Sequence, residues 1–128
     1  MNKTICLSGI ALGMLAVIIG AFGAHGLEKV LDDGALQTFE TGVKYQMYHA
    51  LLMILVAIMP NLSKKSKMSV FWLLIVGIVF FSFSIYLLAT NSLTGFDFRS
   101  ISFITPIGGT LLIIGWGLLG YRVYKSLD

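Results

Sequence analysis

Four stretches of this chain contain no aspartate, glutamate, lysine or arginine, and their lengths decide what the chain can become. The uncharged residues number 24 between Lys3 and Glu28, 19 between Lys44 and Lys64, 29 between Lys67 and Asp97, and 22 between Arg99 and Arg122. Crossing the hydrocarbon of a bilayer takes about 20 apolar residues in a helix. Each gap reaches that length or falls one residue short of it. Backbone N–H and C=O groups in lipid must bond within the protein, so each gap is expected to be a helix. A membrane barrel is a poor alternative. The gaps lack the apolar/polar alternation of barrel strands, and four strands cannot close one. Composition agrees, with 57% hydrophobic and 12% charged residues in 128, where a soluble domain carries about 25% charge. A soluble chain of this size has too little interior to hide so much apolar surface. A soluble globular enzyme, a nucleic-acid-binding protein and a disordered chain are thereby excluded. The expected fold is an all-α integral membrane protein of four antiparallel transmembrane helices in a single membrane domain.

Orientation follows from the basic residues. Four spans put the N-terminus, the middle loop and the C-terminus on one side, with Lys3, Lys64, Lys65, Lys67, Arg122 and Lys125. The opposite side carries Lys29, Lys44 and Arg99. This bias is expected to place both termini in the cytoplasm. The lysines at 64, 65 and 67 read as a topology anchor that touches anionic lipid, not as a nucleic-acid patch. The first apolar segment is longer than a signal-peptide core of about 7–15 residues and reads as a retained helix. Cys6 is the single cysteine, so no internal disulfide is possible, and a small packing residue is expected there.

The helices are expected at about 4–25, 35–60, 67–91 and 100–122, with an outer interfacial loop at 26–34. In the first, Gly9, Gly13, Ala16, Gly20 and Ala24 recur three or four residues apart, the pattern that lets helix backbones approach closely in lipid. Leu27, Val30 and Leu31 are spaced for a short amphipathic turn at the interface. Asp33 is the expected N-cap of the second helix, Glu40 and Lys44 can pair at i,i+4, and Pro60 ends it. The fourth helix has two possible starts. Thr105-Pro106 can supply N-cap and first residue, or the helix begins near Ser100 and kinks at Pro106. Its Gly108, Gly109, Gly115, Gly117 and Gly120 again suggest close packing.

No charged residue falls inside a span, which weighs against a proton-coupled or cation-coupled transporter. Neutral polar groups remain. Tyr45, Gln46 and His49 share a face of the second helix with Gly42 and Met53. His49 lies about 7–8 Å below Lys44 by helical rise. Ser82, Tyr86 and Thr90 are i,i+4 spaced on the third helix, His25 ends the first and Thr105 begins the fourth. Antiparallel threading brings these groups to one depth in the outer half. They either bond to one another and fix helix pairing, at about 0.6 kcal/mol per bond, or line an outward-facing pocket for a small molecule. A haem held by His25 and His49 is a weaker alternative, since the two lie at different depths and no CxxCH is present. Two histidines and one distant cysteine are too few for zinc. No phosphate-cradling loop, nucleophile elbow or triad argues for an enzyme, and no cofactor is expected. The expected partners are membrane lipid, the protein itself or another membrane protein.

Four segments carry a family resemblance: GAFGAHGL at 20–27, FETGVKYQMYHALL at 39–52, FSFSIYLLA at 81–89 and ITPIGG at 104–109. They resemble the small bacterial membrane proteins of the "domain of unknown function 423" family, related to animal transmembrane protein 256. Phe83 stands where the third motif would have a small residue. The resemblance implies a four-helix plasma-membrane protein and no particular activity. It adds weight to His25, Tyr45, Gln46, His49, Tyr86 and Thr105, which fall inside the motifs.

Overall fold

The structure is a computed structural model and describes residues 2–95 and 97–126. Among the described residues there is no strand. Four helices are long and apolar enough to cross a membrane. Helix α1 runs Lys3–Leu27, its last turn Gly23–Leu27 widened to π geometry; α2 is Asp33–Ile58; α3 is Lys64–Ala89, with a π turn at Val79–Phe83; α4 is Ile104–Ser126. Two single-turn 3-10 segments, Asn91–Leu93 and Phe98–Ile101, join α3 to α4.

Capping chemistry sets most of the boundaries, and it moves several from their expected places. Asp32, not Asp33, caps α2: its Oδ1 accepts from Ala35 N at 2.7 Å, so the helix starts one residue after it. Ser63 accepts from Ser66 N at 3.1 Å and starts α3 at Lys64, three residues before the expected 67. Helix α2 ends at Ile58 because Pro60 forces Met59 into an extended conformation (ψ 127°). The next residue, Asn61, turns the chain at φ 67°, a conformation asparagine tolerates better than most residues. The fourth span opens with the 3-10 turn Phe98–Ile101, and regular α-helix starts one residue before Thr105. Thr105 and Pro106 thus sit in the first turn, where no N–H partner is needed. It then continues past Arg122 to Ser126.

The helices form two antiparallel hairpins. Helix α1 packs along α2, and α4 along α3; α2 and α3 join the hairpins at the centre. In the most apolar stretches of α2 and α3, 44% of residues are buried, against 17% in the first and last spans. Large side chains of the outer helices, such as Met14, Val17 and Ile113, are exposed. In a membrane they face lipid.

Glycine allows the closest approaches. A Cβ on Gly9 would stand 2.7 Å from Ala50 O, and one on Gly108 would stand 2.7 Å from the Phe80 carbonyl carbon and clash with Phe81 N. Gly20 is tight against Val43, while Gly13 and Gly109 make ordinary contacts at 3.8 and 3.5 Å. Gly117 and Gly120 face open space and pack on nothing among the described residues, contrary to the close packing expected there. Ala16 is buried against α2, and the Ala24 side chain lies outside the described residues. Leu27 and Leu31 are buried in a small outer core with Phe39 and Ala89, whereas Val30 is exposed. The larger core fills the other half of the bundle around Met53, Val56, Phe71, Leu74 and Leu112, with Cys6 packed against it.

Candidate functional site

Between the two apolar cores the helices exchange polar bonds. Gln46 is fully buried and links three helices. Its Nε2 donates to Leu12 O of α1 at 2.8 Å, and its Oε1 accepts from Tyr86 OH of α3 at 2.6 Å. Two small residues make this possible. Ala16, four residues after Leu12, leaves that carbonyl uncovered. Gly42 lets the Tyr86 ring lie flat on α2, since a Cβ there would sit 2.7 Å from Tyr86 Cε1. The Gly42 carbonyl also accepts from Ser82 Oγ at 2.8 Å. Phe83 lies beside Tyr86, ring centroids 5.8 Å apart, so a large side chain is accommodated by ring contact in the π turn.

A second bridge joins α3 to α4. Ser84 Oγ donates to the carbonyls of Phe80 and Phe81, so its one proton is committed. It therefore accepts from Thr105 Oγ1 at 2.6 Å. A third bridge joins α2 to α4. Trp116 Nε1 donates to His49 Nε2 at 3.1 Å, and His49 Nδ1 lies 2.7 Å from Tyr45 O. An indole N–H can only donate, so Nε2 accepts and Nδ1 carries the proton. His49 is thereby held neutral in one tautomer, within one turn of Gln46.

The expected cluster is thus divided. Gln46, Tyr86, His49 and Thr105 each make a bond between helices. Tyr45 is partly exposed; its ring packs on Phe81 (4.9 Å) and near His49 (6.2 Å), and its carbonyl receives the histidine proton. His25 is exposed at the end of α1 and hydrogen-bonds to none of the others among the described residues. Nor do the groups lie at one depth. Thr105 and Trp116 bond from positions about 16 Å apart along α4 by helical rise, so the bridges form a ladder, not a layer. Among the described residues the one buried side-chain N or O atom without a partner is Arg122 Nε, six residues beyond Trp116 on α4. No group of three or more histidine, cysteine or carboxylate side chains that could hold a metal occurs among the described residues. Glu40 and Lys44 do not pair there either; Asp97 and Arg99 do, at 3.0 Å on the loop between α3 and α4.

The sequence reading does not reach Ser84 or Trp116. Trp116 carried a usable signal: an indole deep in an apolar span needs an acceptor for its N–H, and few acceptors exist in these spans.

Comparison with known proteins places this arrangement in a family. The family described as "Protein of unknown function (DUF423)" matches residues 19–109, which hold all of His25, Tyr45, Gln46, His49, Tyr86 and Thr105. The chain is similar to a UPF0382 membrane protein of Staphylococcus saprophyticus, 42% identical over 96% of this chain and 98% of the relative. It is 39% identical to the UPF0382 membrane protein YwdK of Bacillus subtilis, over 98% of this chain and 99% of the relative. A UPF0382 membrane protein of Haemophilus influenzae is 40% identical over 98% of this chain and 96% of its own length. No solved structure matches. With matches that run nearly end to end over a four-span helical fold, the chain belongs to the DUF423 family of multi-pass membrane proteins.

Proposed function

We propose that this protein resides in the bacterial plasma membrane with both termini in the cytoplasm, and that it acts by interaction with lipid, with itself or with another membrane protein. The observation that carries this reading is the use of the polar side chains. Gln46, His49, Ser82, Ser84, Tyr86 and Thr105 are bonded to other helices of the same chain, which supports a role in holding the bundle. The surfaces left for contact are the apolar outer faces of α1 and α4 and the two ends of the bundle. The excess of basic residues at the end bearing both termini supports the orientation.

A photo-crosslinking residue in place of Ile113, which is 73% exposed on α4, tests the interaction reading in native membranes. Adducts with lipid or with a discrete protein are expected. Bare monomer from Ile113 and from an equivalent probe at Val17 of α1 would overturn it. Orientation is tested separately with cysteines at Asn61 and Lys29 and an impermeant thiol reagent: only Lys29→Cys should label from outside intact cells.

A further inference from the structure

At the end of the bundle opposite the ladder's outer rungs, three helix ends meet. Asn2 N and Lys67 Nζ both donate to Ala57 O near the C-terminus of α2, at 3.0 and 2.9 Å. Asn2 Oδ1 caps α1 by accepting from Ile5 N, and Asn2 Nδ2 reaches Met68 Sδ at 3.6 Å. These contacts bring the N-termini of α1 and α3 side by side. Beside them opens a cavity of about 570 Å³, lined by Lys3, Lys64 and Lys67 together with Asn2 and Thr4.

Lys67 sets the chemistry of this cavity. The residue is only 6% exposed. An ammonium group so enclosed is ordinarily paired with an anion. Among the described residues no carboxylate lies within ion-pair distance of it. Ala57 O takes one of its three N–H donors, and among the described residues the other two have no hydrogen-bond partner. Lys3 and Lys64 add two more positive charges at the rim, and two helix N-termini add the positive ends of their dipoles. The end of α4 brings Arg122 to this side of the bundle, outside the cavity lining, where its Nε is buried without an acceptor among the described residues.

We infer that this cavity is a binding site for a phosphate-bearing anion, and that the phosphate belongs to the headgroup of an anionic membrane lipid. Volume and position both support that source. The cavity is in the size range of small-ligand sites, and it lies at the end of the spans, at the depth where headgroups stand. The inference rests on the interaction reading above and gives it a ligand class and a place. A free phosphate shares the same chemistry, so the test separates the two sources.

The decisive comparison is between neighbours. Lys64 lines the cavity and Lys65 does not, although both are exposed and each carries one charge. The protein is purified in an uncharged maltoside detergent, and retention of phosphatidylglycerol is titrated by native mass spectrometry, with inorganic phosphate as the second probe. One phosphatidylglycerol per chain is expected, weakened about fivefold by Lys64→Gln and unchanged by Lys65→Gln. Lys67→Met should abolish retention; should that variant fail to fold, the Lys64 and Lys65 pair still decides. Equal weakening by both glutamine variants would mean diffuse surface attraction and overturn the site, as would no adduct with either probe. Binding of inorganic phosphate that depends on Lys64, without retained lipid, would uphold the anion site and overturn its assignment to a headgroup. None of these results depends on the crosslinks at Ile113, so loss of this site leaves the interaction reading separately testable.

Discussion

Trp116 donates its indole N–H to Nε2 of His49 across 3.1 Å, and that contact determines which nitrogen of the histidine carries the proton. With Nε2 accepting, Nδ1 donates to Tyr45 O one turn back on the same helix. Both ring nitrogens are then occupied by the protein. A bound ligand would have to displace the tryptophan to reach the ring. In solid-state NMR of the protein in lipid, the His49 ring should show a protonated Nδ1 and a bare Nε2 at neutral pH. Trp116→Phe strands the Nε2 acceptor. It should cost about 0.6 kcal/mol, and no more than about 1.7, in an equilibrium unfolding assay in bicelles. His49→Ala should likewise lower stability. A variant that keeps full stability while losing a bound small molecule would instead favour the pocket reading.

Gln46 and Tyr86 should prove coupled. Tyr86→Phe removes one bond and leaves Gln46 Oε1 buried without a donor. Gln46→Leu removes the links to α1 and α3 together. Because the pair shares a bond, the double variant should be less destabilised than the sum of the singles, by about 0.5 kcal/mol or more. Strict additivity would show that the bond does not persist in the membrane.

Two glycines of α4 should behave oppositely. A methyl group at Gly108 meets the backbone of Phe80 and Phe81, which cannot swing away as a side chain can. Gly108→Ala should force α3 and α4 apart and cost about 1–3 kcal/mol. Gly117 faces open space, and Gly117→Ala should leave thermal stability unchanged or slightly raised. Similar losses at both positions would place the α3–α4 contact elsewhere.

On the loop between α3 and α4, Asp97 accepts from Arg99 Nε and Nη2, both at 3.0 Å, and from the Arg99 backbone N–H. The Arg99 hydrogen bonds hold the Asp97 carboxyl down at about 2, below its ordinary value of about 3.9. A carboxylate with a depressed folded-state value stabilises the ordered loop above about pH 4, and that contribution fades as pH falls through about 2. The carboxyl carbon of Asp97 should therefore titrate with a midpoint near 2 in NMR. A midpoint near 3.9 would show that the pair is not kept in solution. The spans themselves should be unaffected over this range.

How much of this could be read from residues alone varies with the kind of signal. The spans are set by where charge is absent, a property of sequence that no packing detail alters, so all four emerge. Gln46, His49 and Tyr86 stand out because buried polar groups in lipid need partners. Their actual partners do not emerge. Which carbonyl Gln46 reaches depends on how far α1 slides along α2, and the small-residue face of α1 marks its packing side without marking that register. The uniform apolarity of α4 hides the difference between Gly108, wedged against backbone, and Gly117, facing outward. At the boundaries, adjacent aspartates at 32 and 33 offer equal capping chemistry, and only the backbone path selects the first. Lys67 was legible as a charge near the interface, but its burial arises where the N-terminus of α1 meets the turn between α2 and α3, a contact between segments distant in sequence.

The pairing of the helices also bears on how the chain comes into being. Helices α1 and α2 lie side by side over most of their lengths, through Gly9 against Ala50, Gly20 against Val43 and Gln46 against Leu12. All of those groups have been synthesised once the ribosome passes Ile58. The first hairpin can therefore settle in the bilayer before the second exists. The second closes on itself through Gly77, Gly108 and Leu112. The contacts that await both halves include Tyr86 on Gln46, Ser82 on Gly42 and Trp116 on His49. Those rungs of the polar ladder that cross from one hairpin to the other thus have to wait for the second hairpin, whereas Gln46 on Leu12 and Ser84 on Thr105 can form within a hairpin.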